Sequence, residues 1–190
     1  DSAEQHLWKN VTVVPHAPSL SVVVSSMGHG RSQVSLEHLA CFSGGMMALG
    51  SRIVPDRRHY LNIARMTTET CYWGYNSSLT GLGAEALEFY HPQDKDMYRV
   101  VTEADGTRHR GPPVGDPFVG VRYIWHEDYR NRPEVIESVL YMWRTTGDPV
   151  WQERGWQMFA SWMTHCLTRS GTSTIYDVNA VPVRHSDSME

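Results

Sequence analysis

Apolar residues recur every three or four positions in several stretches of this chain, with polar or glycine-rich segments between them. The clearest stretch opens at Pro133. Stepping about 100° per residue from Glu134, Val135, Ile136, Val139, Leu140 and Trp143 make a continuous stripe from roughly 100° to 240°. Glu134, Glu137, Ser138 and Tyr141 fall within about 60° of zero, on the other side. The spacing predicts a helix over Pro133 to Thr146, with proline at the first helical position and Gly147 ending it. Asp148 then caps a second helix that starts at Pro149. Its stripe Trp151, Gly155, Phe159 and Met163 is expected to bury one face, with Trp156 on the buried side as well. So short a turn makes the two helices pack antiparallel, as an αα-hairpin.

Upstream, Leu36 to Leu49 is expected to be helical and to end at Gly50. A further helix is expected from Asp56 to about Tyr75, where Tyr60, Ile63, Ala64, Thr67 and Cys71 keep the helical step. Val11 to Met27 is β-branched and broken by Pro15 and Pro18, so it reads as extended chain or short strand. Gly81 to Gly115 reads as loop and strand, with Ala104-Asp105-Gly106-Thr107 as a hairpin turn. Gly171 to Val178 reads as a short strand. The pattern is a mainly α chain built from αα-hairpin units with short β-hairpins.

Composition narrows the class. The chain has 190 residues, and 17 Lys+Arg against 21 Asp+Glu give a net charge of −4, which suits a single folded unit with a sizeable core. No Lys/Arg block is present, which argues against nucleic acid and anionic membranes as partners. No run approaches the roughly 18 apolar residues of a spanning helix. Ten His suggest a metal hydrolase, but none falls in an HExxH pattern or has an i,i+4 helical partner. Seven Trp and nine Tyr suit a dense core or a carbohydrate surface. Most of the tryptophans read as core; Trp125, in the irregular approach to Arg132, has the best claim to a ligand.

Three cysteines, Cys41, Cys71 and Cys166, are too few and too scattered for a CxxC-type zinc site. One pair and one buried thiol is the natural reading in a secreted chain. A Cys41–Cys71 link would close a loop of roughly 30 residues, and Cys166 reads as a small buried apolar residue. Asn10-Val11-Thr12 and Asn76-Ser77-Ser78 fit the N-glycosylation pattern, making Asn10 and Asn76 candidate acceptors. Neither end has the composition of a natural terminus, so a piece of a longer protein is expected.

Glu134 and Glu137, one turn apart beside a hydroxyl and a phenol, are either a solvated face or a pair able to hold sugar hydroxyls and activate a water. Their context is specific. Arg132-Pro133-Glu134-Val135-Ile136-Glu137-Ser138, with Leu140-Tyr141, Trp143-Arg144 and Thr146-Gly147-Asp148-Pro149, resembles a signature of the class I α-1,2-mannosidases, glycoside hydrolase family 47. Glu37-His38-Leu39-Ala40-Cys41-Phe42, with Gly44-Gly45 and Leu49-Gly50, is similar to that family's His-Leu-x-Cys-Phe helix. Glu69-Thr70-Cys71-Tyr72 resembles the segment bearing the disulfide partner, and Asp187-Ser188-Met189-Glu190 the start of its Asp-x-Met-Glu-Ser-Phe-Phe segment. These motifs run in order across essentially the whole chain.

The resemblance implies that residues 1–190 are part of an (αα)7 barrel, an αα-toroid of inner and outer helices. It implies an inverting glycosidase that trims α-1,2-linked mannose from N-linked high-mannose glycans, uses calcium, and works in the endoplasmic reticulum, in the Golgi or after secretion. A monomer is expected for the full-length form, with high-mannose glycoproteins as partners. On matching positions, Glu134 would be the catalytic base, while Arg132, Glu137 and His38 would line the sugar-binding lumen. Glu85, in Gly81-Leu82-Gly83-Ala84-Glu85, matches a Gly-Leu-x-Pro-Glu element that contacts substrate, although Ala84 replaces its proline. Glu190 matches an acidic residue near the sugar.

The family's general acid, in a Glu-x-x-Ile-Arg-x-Leu-Gly-Gly-Leu context, has no counterpart among these residues. Asp1-Ser2 resembles the start of the family's Asp-Ser-Tyr-Tyr-Glu-Tyr segment, but it lies too close to His38 and Ala3-Glu4-Gln5 does not match. The threonine that holds calcium follows the Asp-x-Met-Glu segment in the family, so no metal ligand is assigned within this chain. Two other readings compete: a catalytically silent relative that binds mannose glycans in endoplasmic-reticulum degradation, and a helical-repeat scaffold with an acidic groove.

Overall fold

Leu36 lies opposite Leu87 in an antiparallel ladder, and this long-range pairing decides where the first helix can begin. The computed structural model describes residues 8–12, 19–23, 25–26, 32–33, 35–89, 100–102, 108–110 and 121–186. Strand β1 (Trp8–Thr12) pairs with β2 (Ser19–Val23), and β3 (Ser25–Ser26) with β4 (Ser32–Gln33). Strand β5 (Ser35–Glu37) joins β6 (Ala86–Phe89), and β6 joins β9 (Val121–His126) in a three-stranded antiparallel sheet. Strand β7 (Val100–Thr102) pairs with β8 (Arg108–Arg110) around the expected hairpin turn, whose own residues lie outside the described ones. Strands β10 (Leu167–Thr168) and β11 (Gly171–Thr172) form a last small hairpin.

Four α-helices carry most of the described core: α1 (Phe42–Ile53), α2 (Tyr60–Asn76), α3 (Glu134–Thr146) and α4 (Val150–Cys166). Helix α1 packs on both α2 and α3, and α4 packs on α3. The expected first helix needs correcting. Leu36 and Glu37 belong to β5, His38–Cys41 form a 3-10 turn, and α1 runs past Gly50 to Ile53. Cross-strand pairing outweighs the helical spacing at Leu36 because packing against neighbours dominates strand preference. The expected strand at Gly171 to Val178 is likewise shorter, two residues of β11 and an isolated bridge at Ile175.

The α3–α4 hairpin follows the expected boundaries. Gly147 takes the left-handed conformation (φ 71°) that closes α3, and the Asp148 carboxylate accepts the Val150 amide at 3.1 Å. The buried faces differ from those expected. On α3, Val135, Ser138, Val139 and Met142 are buried, while Ile136 and Leu140 are exposed. Ser138 belongs inside because its hydroxyl bridges two backbones: it accepts the Gly45 amide at 2.8 Å and donates to the Cys41 carbonyl at 2.6 Å. On α4 the buried line is Trp151, Met158 and Cys166; Phe159 and Met163 are exposed and Trp156 is 66% exposed. A four-residue step drifts about 40° per step, so the stripe from Trp151 to Met163 winds off the face that meets α3.

A disulfide joins Cys41 in the 3-10 turn to Cys71 on α2. Cys166 is a free, fully buried thiol, and burial raises its pKa to about 12. Among the described residues no helix is long and apolar enough to cross a membrane.

Candidate active site

The edge of the three-stranded sheet delivers the site. Where β5 ends, the His38 amide donates to the Glu85 carbonyl at 2.9 Å, and the Glu85 amide donates to the Asp128 carbonyl at 3.0 Å. Three separate segments are thus locked side by side, bringing His38, Glu85 and the chain leading to Arg132 together. Tyr129 continues the arrangement through a bridge to Ile175. The entry into α3 is held by Asn131, whose φ is +57° and whose Oδ1 accepts the Trp162 indole N–H at 2.8 Å.

Two polar pairs occupy this junction. Arg132 Nε donates to Glu85 Oε2 at 2.7 Å. Burial raises the Glu85 pKa above the usual carboxylate value, and the hydrogen bond and charge of Arg132 oppose that shift. The other oxygen, Glu85 Oε1, is buried and has no hydrogen-bond partner among the described residues, which leaves an acceptor available to a ligand hydroxyl. The second pair is Glu134 and His38, with Oε2 and Nδ1 3.3 Å apart. Glu134 is the first residue of α3, where the helix dipole favours a carboxylate. His38 is 3% exposed, and burial together with the Arg132 charge lowers its pKa to about 4, so its ring is neutral at physiological pH.

Behind His38 stand two tyrosines. His38 Nε2 lies 2.6 Å from Tyr75 Oη, and the Tyr129 ring packs edge-on against that of Tyr75, their centroids 6.0 Å apart. Burial, and then the nearby Tyr129, raise the Tyr75 pKa well above the ordinary phenol value, so its hydroxyl keeps its proton. Gly83 lets the Glu85 segment cross this ring, since a Cβ there would lie 2.5 Å from Tyr75 Cε2. Sequence reasoning did not single out Tyr75 or Tyr129. Tyr75 extends the Thr67–Cys71 stripe by one more four-residue step, which by itself marks only a core position.

The cluster is flanked by two hollows. One, of about 390 Å³, is lined by His38, Glu85, Glu37, Trp125, His126 and Arg130 among others. The other, of about 240 Å³, is lined by Tyr75, Tyr129, Arg132 and apolar residues of α3 and α4. Trp125 stands at the rim of the first, 56% exposed, its indole N–H donating to Glu88 Oε2 at 2.9 Å.

Of the residues expected at the site, His38, Glu85, Arg132 and Glu134 are brought together. Glu137 is exposed on the next turn of α3. Glu190 lies outside the described residues. Asn76 is the exposed last residue of α2, and Asn10 of β1 lies opposite Ser21 of β2. Among the described residues no group of three or more His, Cys, Asp or Glu is placed to hold a metal ion. The described residues therefore do not form a calcium cage of their own.

The chain is 34% identical over 155 residues to the human mannosyl-oligosaccharide 1,2-alpha-mannosidase IC, a match spanning 80% of this chain and 21% of that protein. It is 32% identical over 179 residues to the probable mannosyl-oligosaccharide alpha-1,2-mannosidase 1B of Aspergillus niger, spanning 94% of this chain and 31% of that one. The chain thus spans under a third of the length of either relative. Its fold superposes on the alpha-1,2-mannosidase from Trichoderma reesei with a TM-score of 0.78 at 26% identity, covering 100% of this chain and 36% of that one. The architecture is therefore part of an αα-toroid. The sequence profile of glycosyl hydrolase family 47 matches residues 1–190, and the chain belongs to that family.

Proposed function

We propose that residues 1–190 are part of the catalytic domain of an inverting α-1,2-mannosidase, and that they supply its base and part of its sugar-binding wall. The enzyme trims α-1,2-linked mannose from N-linked high-mannose glycans. The observation that carries this reading is the convergence of Glu134, His38, Arg132 and Glu85 from three distant segments onto one junction beside a cavity large enough for sugar.

Inversion places a water between the anomeric carbon and a carboxylate, with a second carboxyl group roughly 6.5–9.5 Å away protonating the leaving oxygen. Glu134 takes the first role. His38 faces one of its oxygens, and the other accepts the proton of the attacking water. Arg132 holds Glu85 in place, and Glu85 Oε1 accepts a hydrogen bond from a sugar hydroxyl. Glu137, exposed on the next turn of α3, adds a further carboxylate to this wall. The second carboxyl group comes from elsewhere in the domain, so the 190 residues alone release no mannose.

The Cys41–Cys71 disulfide supports an oxidising compartment, since such bonds rarely persist where thiols are kept reduced. The exposed Asn76 supports glycosylation there. The place of action is accordingly the endoplasmic reticulum, the Golgi or the extracellular space.

The test is the anomer released by the catalytic domain, produced at the length of its relatives and supplied with a high-mannose glycan. Proton NMR during the first turnovers is expected to show β-mannose ahead of mutarotation. Release of α-mannose would overturn the inverting mechanism. Tight glycan binding with no mannose released would favour the silent, degradation-linked relative.

A further inference from the structure

We propose that Trp125 is a specificity-determining residue, whose ring seats the mannose joined to the one that is attacked. The inference rests on the mannosidase reading and deepens it by assigning a place to the leaving sugar.

A break in the β-ladder presents Trp125. His126 lies opposite Ala86 and Ile124 opposite Leu87, so Trp125 is one residue too many on β9. A bulge of this kind re-aims the side chain it carries. Trp125 is exposed, yet its ring is tethered, because the indole N–H donates to Glu88 Oε2 at 2.9 Å. Tethering by the edge leaves a ring face to meet a ligand.

The hollow beside it lies where β5, β6 and β9 meet, lined by Glu37, Ala86 and His126 from the three strands and by His38 and Glu85. Its volume of about 390 Å³ falls within the roughly 300–1,000 Å³ of small-ligand sites. Glu85 Oε1 and His38 Nδ1 are buried and have no hydrogen-bond partner among the described residues. Both side chains are at least nine-tenths buried. Leaving such atoms unmet is costly, and a ligand hydroxyl meets each of them. Water would satisfy the two atoms but gains nothing from an anchored, apolar ring face.

A pyranose carries both halves of the match. Its hydroxyls donate and accept, which suits Glu85 Oε1 and either protonation state of His38 Nδ1. Its C–H face suits the ring, whose face is the negative side of the aromatic quadrupole. His38 sets the place of this sugar, since it lines the hollow and its Nδ1 is 3.3 Å from Glu134 Oε2. A sugar in the hollow is therefore the neighbour of one attacked at Glu134, the mannose that leaves.

The experiment uses the catalytic domain produced at the length of its relatives and an α-1,2-mannobiose linked through sulfur, which resists cleavage. Calorimetry is expected to show affinity about tenfold weaker in Trp125→Ala, the scale of one lost ring contact, at an unchanged urea midpoint. Trp125→Phe keeps a ring face and should lie close to the wild type. Saturation-transfer NMR on the wild type should carry magnetisation from aromatic protons to the C–H protons of the leaving-side mannose. Trp125→Ala should lose that transfer. Equal affinity of wild type and Trp125→Ala, no binding by the wild type, or transfer unchanged in Trp125→Ala would overturn the inference. If Trp125→Ala does not fold, the wild-type spectrum decides, and absence of transfer to that mannose overturns it. Because the probe is not cleaved, failure here is distinct from failure of the mannosidase reading, which shows as a wild type releasing no mannose from an oxygen-linked glycan.

Discussion

Glu85 and Arg132, forty-seven residues apart in sequence, hold each other at 2.7 Å where the sheet meets the start of α3. The pair ties the segment after α2 to the helix that carries Glu134. Side-chain exposures of 9% for Glu85 and 23% for Arg132 place it largely out of water. Removing the cation therefore leaves a poorly solvated carboxylate whose second oxygen already has no partner among the described residues. Arg132→Met is expected to destabilise the chain by about 3 kcal/mol, read as a lowered urea midpoint. Arg132→Met combined with Glu85→Gln should recover part of that loss. Equal stability of wild type and Arg132→Met would contradict the account.

His38 makes stability depend on pH in one direction. Its pKa is about 4 in the folded chain against 6.5 for an ordinary histidine. Between those values the unfolded chain binds a proton that the folded chain does not, so acidification favours unfolding. Its contribution is complete above pH 6.5 and is lost as pH falls towards about 4, a change of about 3 kcal/mol. Arg132, Glu134, Tyr75 and Tyr129 are the charged and titratable groups facing it. Denaturation at about pH 7 and about pH 4.5 should show a steeper loss for the wild type than for His38→Gln. Parallel losses would refute the assignment.

The disulfide ties the 3-10 turn bearing His38 to α2 across a sequence separation of 30 residues. Replacing Cys41 and Cys71 by serine is expected to cost about 3–4 kcal/mol in the chain-entropy view. Thermal unfolding with and without reductant measures it. Insensitivity of the wild type to reductant, with the bond shown to be broken, would count against this stabilisation.

Helix α1 approaches its neighbours through Gly44 and Gly45. A Cβ at Gly44 would collide with Thr68 Oγ1, which is fully buried and donates to the Ala64 carbonyl at 2.7 Å. Because Thr68 has no room to turn away, Gly44→Ala is expected to cost about 1–3 kcal/mol. A denaturant midpoint at or above that of the wild type would contradict this packing.

Much of the site was legible because its residues sit in local motifs: Arg132 and Glu134 in one, His38 and Glu85 in two others. Helix α3 was legible too, since Pro133 and Gly147 bracket a strong period. Other features depend on contacts that no local pattern carries. Leu36 reads as helical until Leu87 is known to lie opposite it. Ser138 reads as solvent-facing on a helical wheel, yet its hydroxyl bonds the Cys41 carbonyl and the Gly45 amide, more than ninety residues away in sequence. Tyr75 and Tyr129 read as ordinary aromatic core until the ring of His38 is found against them.

Glu134 is the proposed base. Its role is tested most directly by the turnover of Glu134→Gln in the catalytic domain produced at the length of its relatives, with a high-mannose glycan as substrate. A fall in kcat of about 10²–10⁴-fold is expected, with an unchanged urea midpoint and glycan still bound. Mannose release by Glu134→Gln at the wild-type rate would contradict it.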